Sequence, residues 1–413
     1  LLCSHFYPNA EIVTVNKDFE NLSEKDIELS SSIPTIHLFS NILDVEYMIE
    51  LLKLCGVRVK RNEQTNEVVL KRRKVKSVIK SPYLNQIRAS YYLMGALFTE
   101  KRLVKTKIPG GCDFEKRPIN YHLDAFRQMG AIIKETNHDI IIKRKNKLPI
   151  NITLKTKSLG TTINIILASV KTKGITIIKN PSLEPEVLDF IQVLNKMNAN
   201  IKIINNEIVI RGVKKLTGVT HKIIPDRIVA GSYICLAATA EKSNILIKDL
   251  NIDHLQVVIN TFKQAGLNIL YEERNLRIIK NKKLSNLKII ADDYPLFPTD
   301  LQQLMVSTLL SANNISIVKD NIYNNRYSEV FELLAMNATL YLKNQTLLIF
   351  PSNLIGKEVY AKDLRAGFSL IIAAISAEGK TIINHAEVIS RGYENLIEKL
   401  RGINVNISNM KVI

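Results

Sequence analysis

Along the chain one pattern of apolar and polar positions recurs. An amphipathic helix is followed by a residue tolerant of a left-handed cap, then by a short β-branched strand. It reads Leu51-Leu-Lys-Leu-Cys-Gly56-Val-Arg-Val, then Phe126-Arg-Gln-Met-Gly130-Ala-Ile-Ile, Val193-Leu-Asn-Lys-Met-Asn198-Ala-Asn-Ile and Thr261-Phe-Lys-Gln-Ala-Gly266-Leu-Asn-Ile. Leu333-Leu-Ala-Met-Asn337-Ala-Thr-Leu and Glu398-Lys-Leu-Arg-Gly402-Ile-Asn-Val complete the series. Gly at four of these positions and Asn at two is the selection that a positive φ imposes. The near-constant spacing makes this an internal repeat of six units.

Each cap after the first follows a second, more apolar helix. These helices begin near Arg88, Gly160, Arg227, Asp300 and Asp363. A helix apolar on most faces is buried, so each is expected inside its neighbours. Short β runs such as Gly174-Ile-Thr-Ile-Ile and Lys380-Thr-Ile-Ile separate the helices, and each unit reads β-α-β-α-β-β. Such a module cannot bury its own faces alone. Three modules per domain give an α/β protein of two domains, residues 1–222 and 223–413, with a loop at 108–118 in the first. The first unit departs from the pattern: counting back from Gly56 reaches the polar stretch around Asn16-Lys17-Asp18, where no buried helix is written. Either the chain starts after that helix, or residues 3–32 replace it with an insertion or irregular segment.

Length and composition agree with this division. At 413 residues the chain is too long for one ordinary core, and 46% hydrophobic residues with 23% charged is a globular balance. No apolar run is long enough for a transmembrane helix, and the N-terminus carries no secretory pattern. Four dispersed cysteines without a C-x-x-C pair argue against a disulfide framework and for a reducing, cytoplasmic setting. The formal net charge of +18 invites an anionic partner. The runs Lys71-Arg72-Arg73-Lys74 and Lys143-Arg144-Lys145 fall in apparent hairpins without interleaved aromatics, which favours solvated faces over nucleic acid.

The polar residues at the starts of the apolar helices carry the chemistry. Arg88, Asp226-Arg227, Asp300 and Asp363-Leu364-Arg365 all stand in a first turn. Helix N-termini bind anions through free N–H groups, while arginine there opposes the dipole. Arginines at equivalent repeat positions therefore point to an arginine- and aspartate-lined cleft between two domains, against the alternative of solvated surface cations. Pro109-Gly-Gly-Cys112 is a turn ending in a thiol, either incidental or a mobile lid with a reactive group. Ser158-Leu-Gly160 is an N-cap or a phosphate site. Phe297-Pro-Thr-Asp300 sets a carboxylate at a helix entrance. No Walker loop, G-x-G-x-x-G, H-E-x-x-H or EF-hand occurs, and the seven histidines are dispersed, so neither a metal nor a cofactor is expected.

Together with Arg117-Pro118, His122, Glu184-Pro-Glu186, Asn325-Arg326 and Arg391-Gly-Tyr-Glu394, these motifs run in an order that resembles the UDP-N-acetylglucosamine 1-carboxyvinyltransferases. These are the enolpyruvyl transferases of peptidoglycan precursor synthesis. The resemblance covers roughly residues 33–413. The related 3-phosphoshikimate 1-carboxyvinyltransferases share the six-unit fold without the cysteine lid. The resemblance implies two inside-out α/β barrels, each of three repeats around a pseudo-threefold axis. It implies transfer of the enolpyruvyl group of phosphoenolpyruvate to the sugar 3′-hydroxyl with loss of phosphate. Cys112 would be the lid acid, Asp300 the base, and Arg117 and Arg391 the phosphate ligands, with Asp363 and Arg365 completing that end. Arg88 would contact the nucleotide sugar, Arg117, Pro118, Ile119, Asn120 and Tyr121 its uridine, and Thr156, Lys157, Ser158, Leu159 and Gly160 its diphosphate. Ile322 would lie beside the sugar, with Asp226, Arg227 and Arg326 as further substrate-binding positions. The expected partners are UDP-N-acetylglucosamine and phosphoenolpyruvate, with no nucleic acid, no membrane and no second subunit.

The sequence also departs from that pattern. The family's Lys-Asn pair of the first buried helix has no counterpart, and Leu43 stands where some members carry Lys. Asn120 replaces the usual Asp, Val229 an acid after Asp226-Arg227, and Asn324 a Glu. Loss of a charge-assisted contact costs about 1.5–3 kcal/mol, so weakened turnover with retained binding is an alternative expectation.

Overall fold

The computed structural model describes residues 35–37, 42–62, 64–72, 74–108, 119–137 and 139–408. The expectations for residues 3–32 and for the Pro109–Pro118 loop lie outside them, and so do Cys112, Arg117 and Pro118. The described residues form two compact units, divided between Ile224 and Pro225.

In the first unit, strand Thr35–His37 precedes helix α1 (Leu43–Leu54) and the hairpin Val57–Asn62/Glu67–Arg72. A 3-10 turn, Arg88–Tyr91, opens α2 (Tyr92–Glu100), and strand Leu103–Lys107, α3 (Asn120–Gln128) and the hairpin Ala131–Glu135/Asp139–Arg144 follow. Strand Asn151–Thr153 leads to α4 (Leu159–Ser169), strand Ile175–Lys179, α5 (Pro185–Lys196), the hairpin Asn200–Ile204/Glu207–Arg211 and strand Thr220–Lys222. The apolar α2 and α4 pack directly on each other, and every α4 residue from Thr161 to Ser169 is buried.

The second unit repeats the plan. Helix α6 (Arg227–Thr239), strand Ser243–Ile247, α7 (Gln256–Gln264) and hairpin Asn268–Glu272/Asn275–Lys280 form one module. Strand Lys288–Ala291, a 3-10 turn at Thr299–Leu301, α8 (Gln302–Leu309), strand Ser316–Asp320, α9 (Val330–Ala335) and hairpin Thr339–Lys343/Thr346–Phe350 form the next. Strand Glu358–Tyr360, α10 (Leu364–Ser376), strand Ile382–Asn384, the 3-10 helix Ala386–Arg391 and α11 (Leu396–Gly402) end it. Helices α6, α8 and α10 pack on one another, and α8 is buried along its whole length. Their hydroxyls are satisfied inside: Ser232, Thr239 and Thr308 donate to carbonyls four residues back, and Ser307 meets Ser369 at 2.7 Å.

Within a module, the strands flanking the buried helix pair in parallel, as Lys288–Ala291 does with Ser316–Asp320 and Glu358–Tyr360 with Ile382–Asn384. This is the crossover that a helix-length connection permits. Thr220–Lys222 differs, because it pairs in parallel with Thr35–His37 from the other end of the first unit.

The left-handed caps follow from the repeat at five places. Gly56 (φ 93°), Gly130 (93°), Asn198 (66°), Gly266 (87°) and Asn337 (72°) all hold positive φ. The sixth expectation, Gly402, is corrected: Gly402 is the last residue of α11, and Asn404 two residues on takes the left-handed turn at φ 64°. Both residue types tolerate that conformation, so local sequence did not decide between them. The basic hairpin runs are largely exposed: Lys71, Arg72, Lys74, Lys143 and Lys145 face solvent. Among the described residues no helix is long and apolar enough to cross a membrane.

Candidate active site

In the second unit the buried helices enter on aspartates. Asp226 caps α6, its Oδ1 accepting from Ile228 N at 2.7 Å and Val229 N at 3.1 Å. Asp363 caps α10 in the same way, from Arg365 N at 2.9 Å and Ala366 N at 3.0 Å. Each cap satisfies orphan N–H groups and supplies the negative charge that the helix dipole favours, which offsets the arginine beside it. Replacing Asp226 with Ala is expected to lower unfolding stability by about 1–2 kcal/mol. Urea denaturation measures it, and an unchanged midpoint would remove the cap from the account.

As many as 65 residues of chain separate these groups, yet Asp300, Arg326 and Arg365 converge. Asp300 stands in the 3-10 turn before α8, with Oδ1 2.7 Å from Arg326 Nη2 and Oδ2 3.2 Å from Arg365 Nη2. Asp300 stays 41% exposed, while both arginine side chains are below 10%. Arg326 Nη1 donates to Thr299 Oγ1 at 3.1 Å, and Thr299 in turn donates to Asp320. Asp320 Oδ1 accepts the backbone N–H of Ile322 at 2.8 Å and of Tyr323 at 3.0 Å, which fixes the loop carrying the exposed Ile322.

Arg365 is held on three sides. Nη1 donates to Tyr393 Oη at 2.9 Å, and the guanidinium carbon lies 5.5 Å from that ring's centroid. Tyr393 Oη also meets Ser232 Oγ at 2.7 Å. Burial opposes the charge of Arg365, but Tyr393, Asp300 and Asp226 outweigh it and raise its pKa. Arg227 is buried at the first position of α6, its guanidinium 5.4 Å from the Tyr294 ring centroid. Arg391 ends the 3-10 helix Ala386–Arg391 two residues before Tyr393 and is half-buried.

In the first unit the expected residues divide. Thr156 and Lys157 are exposed in the loop before α4, where Ser158 caps the helix by accepting from Thr161 N at 3.3 Å. Leu159 and Gly160 are half-buried in its first turn. Ile119 precedes α3, Asn120 is exposed and Tyr121 half-buried in its first turn. The first turn of α3 lies against this helix entrance: a Cβ on Gly160 would lie 3.2 Å from His122 Cε1. His122 is buried, stacks on Tyr91 with centroids 5.0 Å apart, and meets Asn164 Nδ2 through Nδ1 at 2.9 Å. Because an amide nitrogen only donates, Nδ1 accepts and the proton sits on Nε2. Burial first, then the charge of Arg88, lower the His122 pKa to about 3, so the ring is neutral. Arg88 itself lies over Tyr91, 5.4 Å from its centroid.

Sequence reasoning assigned no role to Tyr393, Ser328, Glu329, Asn164 or Tyr91. The lone amide of Asn164 in the run Thr-Thr-Ile-Asn-Ile-Ile was a signal, since a buried amide needs partners. The others are side chains whose partners lie far along the chain, 26 residues away for Glu329, 35 for Ser328 and 161 for Tyr393.

Buried guanidiniums at the mouths of buried helices, around a partly exposed carboxylate, define a site for anionic substrates on a modular α/β fold. The comparisons narrow this. A family profile for EPSP synthase (3-phosphoshikimate 1-carboxyvinyltransferase) matches residues 29–400. The UDP-N-acetylglucosamine 1-carboxyvinyltransferase of Halothermothrix orenii is 36% identical over 90% of this chain and 91% of its own. That of Streptococcus pneumoniae serotype 2 is 38% identical over 92% of this chain and 91% of its own. Among solved structures, the enolpyruvyl transferase NikO from Streptomyces tendae superposes with a TM-score of 0.81 at 20% identity, covering 91% of this chain and 89% of that one. The chain belongs to the enolpyruvyl transferase family that includes the EPSP synthases and the UDP-N-acetylglucosamine 1-carboxyvinyltransferases.

Proposed function

We propose that this chain transfers the enolpyruvyl group of phosphoenolpyruvate to the 3′-hydroxyl of UDP-N-acetylglucosamine, releasing phosphate. The observation that carries the reading is the Asp300 carboxylate, half exposed and gripped by the buried Arg326 and Arg365, in a chain whose relatives at 36–38% identity bear that activity in their names. Such a transfer needs an acid for the methylene of phosphoenolpyruvate, a group that takes the sugar hydroxyl's proton, and cations for carboxylate and phosphate. Cys112 supplies the proton to the methylene carbon. The sugar oxygen then bonds to the adjacent carbon as its proton passes to Asp300. The tetrahedral adduct loses phosphate and the methyl group loses a proton, which restores the enol.

Both oxygens of Asp300 are engaged by guanidinium groups, so a hydroxyl binding there shares or replaces one of those pairs. Arg117 and Arg391 take the phosphate of phosphoenolpyruvate, with Asp363 and Arg365 ordering that end. Arg88, Ile119, Asn120, Tyr121 and the stretch Thr156–Gly160 take the nucleotide sugar; the free N–H groups entering α4 suit a diphosphate. Asp226, Arg227, Ile322 and Arg326 complete the binding set. Each unit is read as an inside-out α/β barrel, with buried helices at its centre and sheets outside. The chain is read as a cytoplasmic monomer.

Phosphate release from phosphoenolpyruvate is expected to require UDP-N-acetylglucosamine and to fall at least a hundredfold in Cys112→Ala. Equal release with shikimate 3-phosphate would move the assignment to the related enzyme. Thermal stabilisation by the nucleotide sugar without any release would leave a binding protein in place of a transferase.

A further inference from the structure

Behind the Asp300 cluster lies a buried carboxyl that the proposed chemistry does not use. Glu329 is 0% exposed and directly precedes α9. Its Oε2 accepts from Gln303 Nε2 at 2.8 Å, and the same nitrogen reaches Ser328 Oγ at 3.1 Å. Ser328 Oγ donates to Asp363 Oδ2 at 2.7 Å. Asp363 Oδ1, meanwhile, holds the first N–H groups of α10, including that of Arg365, whose guanidinium meets Asp300. Gln303 is anchored to the same helix through its carbonyl, which accepts from Ser369 Oγ at 3.0 Å. A continuous polar chain thus runs from Glu329 to the backbone N–H of Arg365, the residue whose guanidinium meets Asp300. It contains two buried atoms without a hydrogen-bond partner, Glu329 Oε1 and Gln303 Oε1.

We propose that Glu329 is a positioning residue of the site: through Gln303 and Ser328 it orients Asp363, and through Asp363 it fixes the helix entrance that aims Arg365 at Asp300. The inference rests on the reading of Asp300 and Arg365 as parts of the substrate site. A fully buried carboxylate with one oxygen unmatched is costly, and a proton on it turns that unmatched acceptor into a donor. The groups facing Glu329 divide. Burial first, and Asp363 at the mouth of α10 after it, favour the protonated form; Gln303 on α8, a backbone hydrogen bond and Arg326 in the preceding loop oppose it. Tyr327 also feels its charge. Burial dominates and pushes the Glu329 carboxyl up to about 8. Ionisation sets a second negative charge against Asp363 and competes with Asp300 for Arg326.

The sign follows. An unfolded chain loses this proton near pH ~4.3, the folded chain near 8. Across that window only the unfolded state ionises, so stability falls as pH rises and levels off above it.

The test uses the full chain, with Glu329→Gln and Glu329→Ala. Denaturation midpoints and phosphate release are followed from pH 5 to 9. Wild type is expected to lose stability through the window, and Glu329→Gln to lose less. Wild-type kcat is expected to drop about tenfold above pH 8 while KM for the nucleotide sugar changes less than twofold, a limb missing from Glu329→Gln. Glu329→Ala, which loses the bond to Gln303, is expected to lower kcat at every pH. The same alkaline limb in Glu329→Gln, or equal kcat in the Ala and Gln variants, overturns the proposal. If no variant releases phosphate, the functional reading fails while Glu329 is still decided by the midpoint gain that phosphoenolpyruvate confers. Loss of that gain above pH 8 in wild type alone supports the role, and equal gains in wild type and Glu329→Gln overturn it.

Discussion

Replacing Arg365 with alanine is expected to reduce phosphate release by roughly a thousandfold and to lower stability by about 3–5 kcal/mol. The two losses have one cause. The guanidinium is buried and serves Asp300, Tyr393 and the Tyr393 ring together. Truncation takes one hydrogen-bond partner from Tyr393 Oη and one guanidinium from Asp300, and it opens a space where a charge had been balanced. Lysine keeps the charge but offers a single nitrogen, which cannot reach Tyr393 Oη and Asp300 Oδ2 in the fork geometry of arginine. Arg365→Lys is therefore expected to recover much of the stability and little of the rate. Steady-state phosphate release and urea denaturation read the two effects separately. Full activity in Arg365→Ala would remove the residue from the site.

The second large effect is expected at Gly95, in the core of the first unit. Its N–H donates to Asn164 Oδ1 at 3.0 Å, joining α2 to α4. A Cβ here would lie 2.5 Å from Asn164 Oδ1 and 2.6 Å from the Asn164 carbonyl oxygen. The side chain could turn away, but the carbonyl belongs to the neighbouring helix backbone, so the helices must part. Gly95→Ala gains about 1 kcal/mol of helix propensity and loses more to overpacking, for a net cost of roughly 1–2 kcal/mol. The damage reaches the site, because the same Asn164 holds His122. The double variant Gly95→Ala with Asn164→Ala removes one of the two clashes and is expected to restore no more than part of the loss. A melting temperature equal to wild type in Gly95→Ala would show that the helices yield at no cost.

These examples mark how far the sequence could be read. The repeat was visible because its caps obey local rules: a positive φ selects Gly or Asn wherever the module turns. The entrances of the buried helices were visible for the same reason, as aspartate and arginine in apolar first turns are conspicuous. The pairings were not visible. Nothing near Arg326 indicates that it meets Asp300, nothing near Ser328 that it meets Asp363, and nothing near Tyr393 that Arg365 and Ser232 converge on its hydroxyl. Side-chain partners this far apart in the chain depend on how helices and loops pack, which a one-dimensional period does not contain. The displaced sixth cap is the local counterpart: with Gly402 and Asn404 both permissive, packing at the end of α11 chose.

The parallel pairing of Thr35–His37 with Thr220–Lys222 bears on how the protein is made. The first sheet of the amino-terminal unit includes a strand that the ribosome delivers only after all the rest of that unit. At roughly 5–20 residues per second, the early strand waits on the order of ten seconds or more for its neighbour. During synthesis its parallel edge is open, a stage at which chaperone contact or mispairing competes with closure. Completion of the first unit is thus timed to the moment when the second begins to emerge.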